Sequence, residues 1–225
     1  MEENEAISDF GSSELGTQEY WDNAYSRELK SFDEIGDVGE IWFGEEAQHR
    51  VVNWIANKSG LPSTAKILDL GCGNGLLLLA LTEENFTNLT GVDYSEGAIQ
   101  LSKSIANKEG VTDINFLVCD LLSTSSVEDL SKQGPFDVCV DKGTYDAISL
   151  RQAHVVDDRR TYSCSVKSLL KEGGLFIITS CNWTSEQLKL NFQNEFELVH
   201  EIPAPKFTFG GKTGQTVTTL VFKLR

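Results

Sequence analysis

The sequence predicts an α/β fold: a doubly wound, mainly parallel seven-stranded sheet with an antiparallel last strand. Three observations predict it. Short apolar runs of strand length alternate with segments of helical periodicity along most of the 225 residues. The first such run, Lys66-Ile67-Leu68-Asp69-Leu70, breaks into Gly71-Cys72-Gly73-Asn74-Gly75 and then at once into the apolar run 76–81. That order reads as strand, tight turn and helix start. The last two strand-like runs, 196–202 and 217–222, have no helical segment between them, which makes them an antiparallel, hairpin-like end.

Taken in order, residues 1–16 are acidic and polar with Gly and Ser, the composition of a disordered tail, and 17–225 read as a single domain. Two aromatic clusters follow, Tyr20-Trp21-Asp22-Asn23-Ala24-Tyr25 and Ile41-Trp42-Phe43-Gly44-Glu45. They either plug the edge of the core or form a lid over a ligand, and the sequence leaves both open. From 45 to 57 the apolar Ala47, Val51, Trp54 and Ile55 share one helical face, and Gly60 and Pro62 end the helix. After the glycine turn, 89–93 is a second strand. Ser95 then caps a helix carrying Ala98, Leu101 and Ile105, and Gly110 stops it. Runs 114–119 and 136–140 are the third and fourth strands. Val166, Leu169 and Leu170 mark a helix running to Gly173-Gly174, and 175–179 is the fifth strand. Thr184-Ser185-Glu186-Gln187 fits a capping box before a short helix.

Composition excludes several function classes. Hydrophobic residues are 40% and charged residues 24%, with a formal net charge of −15. Such a surface repels phosphate backbones, so a general nucleic-acid binder is disfavoured and a basic protein partner favoured. The five cysteines are odd in number and form no C-x-x-C pair, which supports neither a metal site nor a disulfide framework. There is no secretion signal and no stretch of about 18 apolar residues. The expectation is no membrane association and a reducing compartment, the cytoplasm, with the nucleus as a second location.

In a parallel sheet, ligands bind at the carboxyl ends of the strands. Asp93, Asp120, Asp141 and Ser180 all fall at predicted strand ends. The glycines read Gly71-x-Gly73-x-Gly75. A dinucleotide fingerprint would need a glycine at 76, and Leu76 stands there, which disfavours a nicotinamide oxidoreductase. Asp93 closes the second strand roughly 20 residues after the glycines, where an acid can accept both ribose hydroxyls. Glycine turn plus acid point to an adenosine-containing cofactor.

The seven strands, the Gly-x-Gly-x-Gly turn, the antiparallel end and Leu170-Lys171-Glu172-Gly173-Gly174-Leu175-Phe176 resemble the seven-β-strand, Rossmann-like methyltransferases that use S-adenosylmethionine. Four further segments resemble the lysine methyltransferases of translation elongation factor 1-alpha. They are Ile41-Trp42-Phe43-Gly44-Glu45, the stretch 141–150 opening Asp141-Lys142-Gly143-Thr144, Thr179-Ser180-Cys181-Asn182-Trp183-Thr184, and Pro205-Lys206-Phe207-Thr208-Phe209-Gly210-Gly211. The resemblance implies a protein substrate, elongation factor 1-alpha, and a monomeric enzyme. It also implies roles. Asp69 would lie near the methionine ammonium, with Gly71, Cys72 and Gly73 under the methionine and ribose. Asp93 would hold the ribose, Tyr94 would lie beside the adenine, and Asp120 and Leu121 would bracket its edge. Asp141 would be the catalytic acid facing the methyl or the amine. Trp42, Tyr145, Asn182 and Trp183 would line the substrate channel. The place after the fourth strand does not read Asn/Asp-Pro-Pro-Tyr/Phe, which weakens a nucleobase-amine substrate. A small-molecule methyltransferase and a catalytically silent scaffold remain the alternatives.

Overall fold

The computed structural model describes residues 11–209, 212–215 and 217–225, with backbone alone for 206–209 and 212–215. The Gly210-Gly211 end of the segment that opens at Pro205, and the first ten residues, lie outside the described residues.

The chain opens with a short 3-10 turn, Glu14–Gly16, and two helices, α1 (Gln18–Ile35) and α2 (Glu45–Asn57). The Thr17 hydroxyl accepts from the Tyr20 amide at 3.3 Å to start α1, and Gly36 ends it in the left-handed region at φ 76. Then β1 (Lys66–Leu70), α3 (Leu76–Glu83), β2 (Asn88–Asp93), α4 (Glu96–Lys108), β3 (Ile114–Val118), α5 (Thr124–Ser131) and β4 (Phe136–Lys142) follow in alternation. The second half holds α6 (Thr144–Ser149), α7 (Val155–Leu169), β5 (Leu170–Ser180), α8 (Ser185–Phe192) and β6 (Phe196–Ile202). A small pair, β7 (Lys206–Phe209) and β8 (Lys212–Gln215), precedes β9 (Thr218–Leu224).

The large sheet has the order β3-β2-β1-β4-β5-β9-β6. Strands β1 to β5 pair in parallel, and β9 runs against both β5 and β6. This is the doubly wound sheet with an antiparallel last strand that the sequence predicts.

Strand alternation divides the core into two layers. Ile67, Val138, Val140 and Ile177 face one side, packed with Val51 and Ile55 of α2, Leu77 of α3 and Ile105 of α4. Leu68, Leu70, Cys139, Phe176 and Ile178 face the other, against Tyr162 and Val166 of α7 and Leu188 and Phe192 of α8. All five cysteines are free thiols. Among the described residues no helix is long and apolar enough to cross a membrane, and no cluster of His, Cys, Asp or Glu could hold a metal ion.

Two local expectations differ from the structure. The helix expected to run to Gly173-Gly174 ends at Leu169, and Leu170 already pairs with Phe136 as the start of β5. The expected tail is ordered at its end: the Ser13 amide donates to the Leu150 carbonyl at 3.1 Å, and the Trp21 indole N–H donates to the Leu15 carbonyl at 2.7 Å.

Candidate active site

At the carboxyl ends of β1, β2 and β4 a cleft encloses about 1120 Å³, part of it open to solvent. Its floor is the glycine turn. Gly71, Gly73 and Gly75 all take positive φ, which only glycine adopts freely. A Cβ on Gly71 would lie 2.0 Å from the Thr144 hydroxyl oxygen, and that hydroxyl donates to the Leu70 carbonyl at 2.6 Å. Gly71→Ala is therefore expected to lower stability by about 1–3 kcal/mol, from backbone strain plus the displaced threonine. Thermal unfolding with the melting temperature as readout checks it. An unchanged midpoint would mean the turn relaxes freely.

Asp93 stands across from the turn and is 7% exposed. One carboxylate oxygen accepts from the Gly73 amide at 3.1 Å and the other from the Ser95 amide at 3.0 Å. Burial pushes its pKa up to about 6, opposed by those two amides. No salt bridge joins it among the described residues, so it retains acceptor capacity for hydroxyl donors from the cleft. Tyr94, Asp120 and Leu121 line the same wall. A buried acid with spare lone pairs, a floor of bare backbone and a flanking aromatic fit the nucleoside expected from the sequence.

The two aromatic clusters belong to the cleft. Helix α1 lays Gln18, Trp21, Tyr25 and Glu28 along it, residues spaced as one helical face. The Trp21 ring lies 4.9 Å from that of Trp42 and 6.0 Å from that of Tyr25. A Cβ on Gly73 would come 2.6 Å from the Tyr25 hydroxyl. Burial first, and then Asp93, push that phenol far above its usual pKa, so it is a donor. The Asn74 amide group donates to the Val38 and Glu40 carbonyls, both at 3.1 Å, and ties the segment after α1 to the glycine turn.

Of the residues expected at the site, Gly71, Cys72, Gly73, Asp93, Tyr94, Asp120, Leu121 and Trp42 line this cleft. Asp69, Asp141, Tyr145, Asn182 and Trp183 do not. Asp69 lies buried below the turn, where burial raises its pKa to about 7 against the pull of Lys142. Asp141 is fully buried and does not line the cleft. Its carboxylate accepts from the Thr144 amide at 3.0 Å, the Tyr145 amide at 2.9 Å and the Tyr162 hydroxyl. It caps α6 and anchors α7, and it lies off the cleft that it was expected to face as the catalytic acid. Tyr145 and Trp183, each 2% exposed, pack with their rings 5.8 Å apart in the second core layer. The Asn182 amide donates to the Ser180 hydroxyl at 3.1 Å and holds the turn after β5.

Lys142, the residue after Asp141, is one of the charged lining groups that sequence reasoning missed, with Glu28, Glu40 and Arg151. Alternation turns it to the cleft side, where it lines the floor and its Nζ donates to the Trp42 carbonyl at 3.4 Å. Burial pushes its pKa below the usual lysine range, opposed by the charges of Asp69 and Asp141.

Comparison with known proteins now decides the family. A model described as a methyltransferase domain matches residues 61–221. The chain is 50% identical over 215 residues to a zebrafish (Danio rerio) protein named EEF1A lysine methyltransferase 2, covering 96% of this chain and 90% of that one. The chain belongs to the EEF1A lysine methyltransferase family. The human member of that name is 48% identical, with 95% and 88% covered. The fission-yeast (Schizosaccharomyces pombe) protein-lysine N-methyltransferase efm4 is 40% identical, with 94% of each covered. In fold, this methyltransferase matches a solved SAM-dependent methyltransferase from Anabaena variabilis with a TM-score of 0.67 at 15% identity over 98% of both chains.

Proposed function

We propose that the chain transfers a methyl group from S-adenosylmethionine to a lysine side-chain amine of elongation factor 1-alpha. The observation that carries the reading is the cleft itself. A bare glycine turn and the Asp93 carboxylate face each other at the strand ends, in a chain about half identical to proteins named for that reaction.

When bound, the cofactor supplies an already activated methyl on a sulfonium, so the protein's task is alignment and a dry site. Asp93 would accept from the ribose hydroxyls, its orientation held by the Gly73 and Ser95 amides. Tyr94 and Leu121, which line the same wall, would flank the base, and Asp120 would accept from its amino group. Trp21 and Tyr25 on α1 cover the cleft and exclude water.

The acceptor lysine must be neutral to attack. Neutralising an unperturbed lysine of pKa about 10.4 at pH 7 costs roughly 4.6 kcal/mol. Apolar walls such as Trp42 lower that cost, and a cation nearby disfavours the ammonium form further. Lys142 supplies that charge beside Trp42. Lys142→Met is therefore expected to move the rising limb of the rate-versus-pH profile to higher pH, because the incoming amine regains an ordinary pKa. A profile that keeps its midpoint removes Lys142 from this role.

The reading is tested by incubating the chain with labelled S-adenosylmethionine and a cell extract. A labelled protein band of the size of elongation factor 1-alpha is expected. Label confined to small molecules would favour the small-molecule alternative.

A further inference from the structure

The molecule has a second cleft at the other end of the sheet. It encloses about 1580 Å³, open solvent included, between α2, the start of β5, the end of β9 and the edge strand β6. β4 runs seven residues from this end to the cofactor cleft, a separation on the order of 20 Å at about 3.3 Å per residue. The two clefts share no lining residue.

Its charge is opposite to that of the molecule. The formal net charge is −15, yet the cleft lining gathers Arg50, Lys58, Lys171 and Lys223 against one lining carboxylate, Asp137, with Glu46 beside Arg50 at 3.9 Å and Glu197 opposite Lys223 in the β6–β9 register. Asp137 is already engaged: it pairs with Lys171 and accepts from the Lys66 amide at 2.7 Å. Lys58 and Lys223 are exposed, and their ammonium groups have no ion pair or hydrogen bond among the described residues. Between the cations the wall is apolar. Trp54 stacks on His200 at 5.8 Å and 23°, and Val199, 47% exposed, continues the surface along β6. Strand β6 ends the sheet, so its outer backbone has no partner strand among the described residues.

We propose that this cleft docks an acidic, partly apolar extended segment of a partner protein. Carboxylates of the segment would pair with Lys58 and Lys223, with Arg50 shared with Glu46, while apolar side chains lie on Val199 and the exposed edge of Trp54. An extended chain suits a free sheet edge, which offers backbone donors and acceptors along its length. A long nucleic acid suits it less. Its phosphates recur every few ångströms, and beyond the cleft they meet the negative field of the rest of the surface. The site lies away from the cofactor, so it serves recruitment rather than the methyl-transfer step.

The test is fluorescence anisotropy of a fluorescein-labelled Glu- and Leu-rich peptide titrated with the full chain. Saturable binding is expected, weakened by added salt and by at least about tenfold in Lys58→Glu/Lys223→Glu, the loss expected when two charge pairs become repulsive. Asn53→Glu, an exposed position on the α2 wall one turn from Arg50, is expected to act in the same direction without replacing a cation. Calorimetric affinity for S-adenosylmethionine should be unchanged in both variants. The proposal fails if the peptide does not bind, if neither variant weakens it, or if S-adenosylmethionine displaces it. Tighter binding of a single-stranded RNA of equal charge would assign the cleft to nucleic acid and overturn it as well.

Discussion

Asp141→Ala is expected to lower the free energy of unfolding by about 3–5 kcal/mol, because three buried donors lose one acceptor group at once. The Thr144 and Tyr145 amides open α6, and the Tyr162 hydroxyl comes from the middle of α7. Tyr162 is fully buried, so water does not replace the missing partner. Asp141→Asn keeps one acceptor oxygen and is expected to cost less, about 1–3 kcal/mol. Urea denaturation followed by tryptophan fluorescence measures both. The fraction that remains folded should bind cofactor with nearly native affinity, since the carboxylate does not line the cleft. Native stability combined with lost turnover would return Asp141 to the chemistry and remove it from the scaffold.

Asp93→Ala is expected to weaken S-adenosylmethionine binding by roughly 10- to 100-fold, because a hydrogen bond to a charged group contributes about 1.5–3 kcal/mol. The pH dependence follows from the same carboxylate. Burial raises its pKa to about 6 in the free protein. Ribose hydroxyls donate to the ionised form and so lower the pKa in the complex. Binding then releases a proton below about pH 6 and none above it. Affinity is expected to be flat above that value and to fall as pH drops through it. Calorimetry across pH 5 to 8 reads the slope, and in Asp93→Asn the slope should vanish. An alanine variant that stays folded and binds normally would place the ribose elsewhere.

These two carboxylates mark how far the sequence could be read. Both follow apolar runs at strand ends, and both promise a site. What separates them is their side of the sheet and their distant partners. Asp93 meets Gly73, part of the adjoining glycine turn, and opens on the cleft. Asp141 meets Tyr162 on a helix 21 residues away, a contact no local pattern announces. Alternation held part of the signal: Val138 and Val140 share one layer with Ile67, so Lys142 and Asp141 point to opposite faces of β4 and only one of them could be expected to reach a given site. Strands β1, β2, β3, β4, β6 and β9 were legible to within about two residues because buried runs bounded by turns leave little choice. The start of β5 was not, since Leu170 pairs with Phe136 while fitting the apolar stripe of the preceding helix equally well. Helix α1 escaped a reading as helix for a different reason. None of its residues is fully buried: Tyr25, Leu29 and Phe32 pack half-buried against the core while Trp21 and Tyr25 line the cleft, so the apolar stripe is short and mixed with aromatics.

Helix α1 also explains why the cofactor wall is larger than the motif that announced it. Glycines, an acid and an aromatic were visible as a compact pattern. The covering residues come from an earlier part of the chain, tied down through Asn74 and the Trp21 indole. The assembled cleft is thus a floor from β1, a side wall from β2 and β3, and a roof from the helix that precedes them all.

Peptide-level mass spectrometry of elongation factor 1-alpha, after reaction with the purified chain and S-adenosylmethionine, tests the account most directly. The account predicts added methyl groups on a lysine side chain, formed by the native chain and strongly reduced with Asp93→Ala. Methylation at a residue other than lysine, or equal methylation by the native and Asp93→Ala chains, would contradict it.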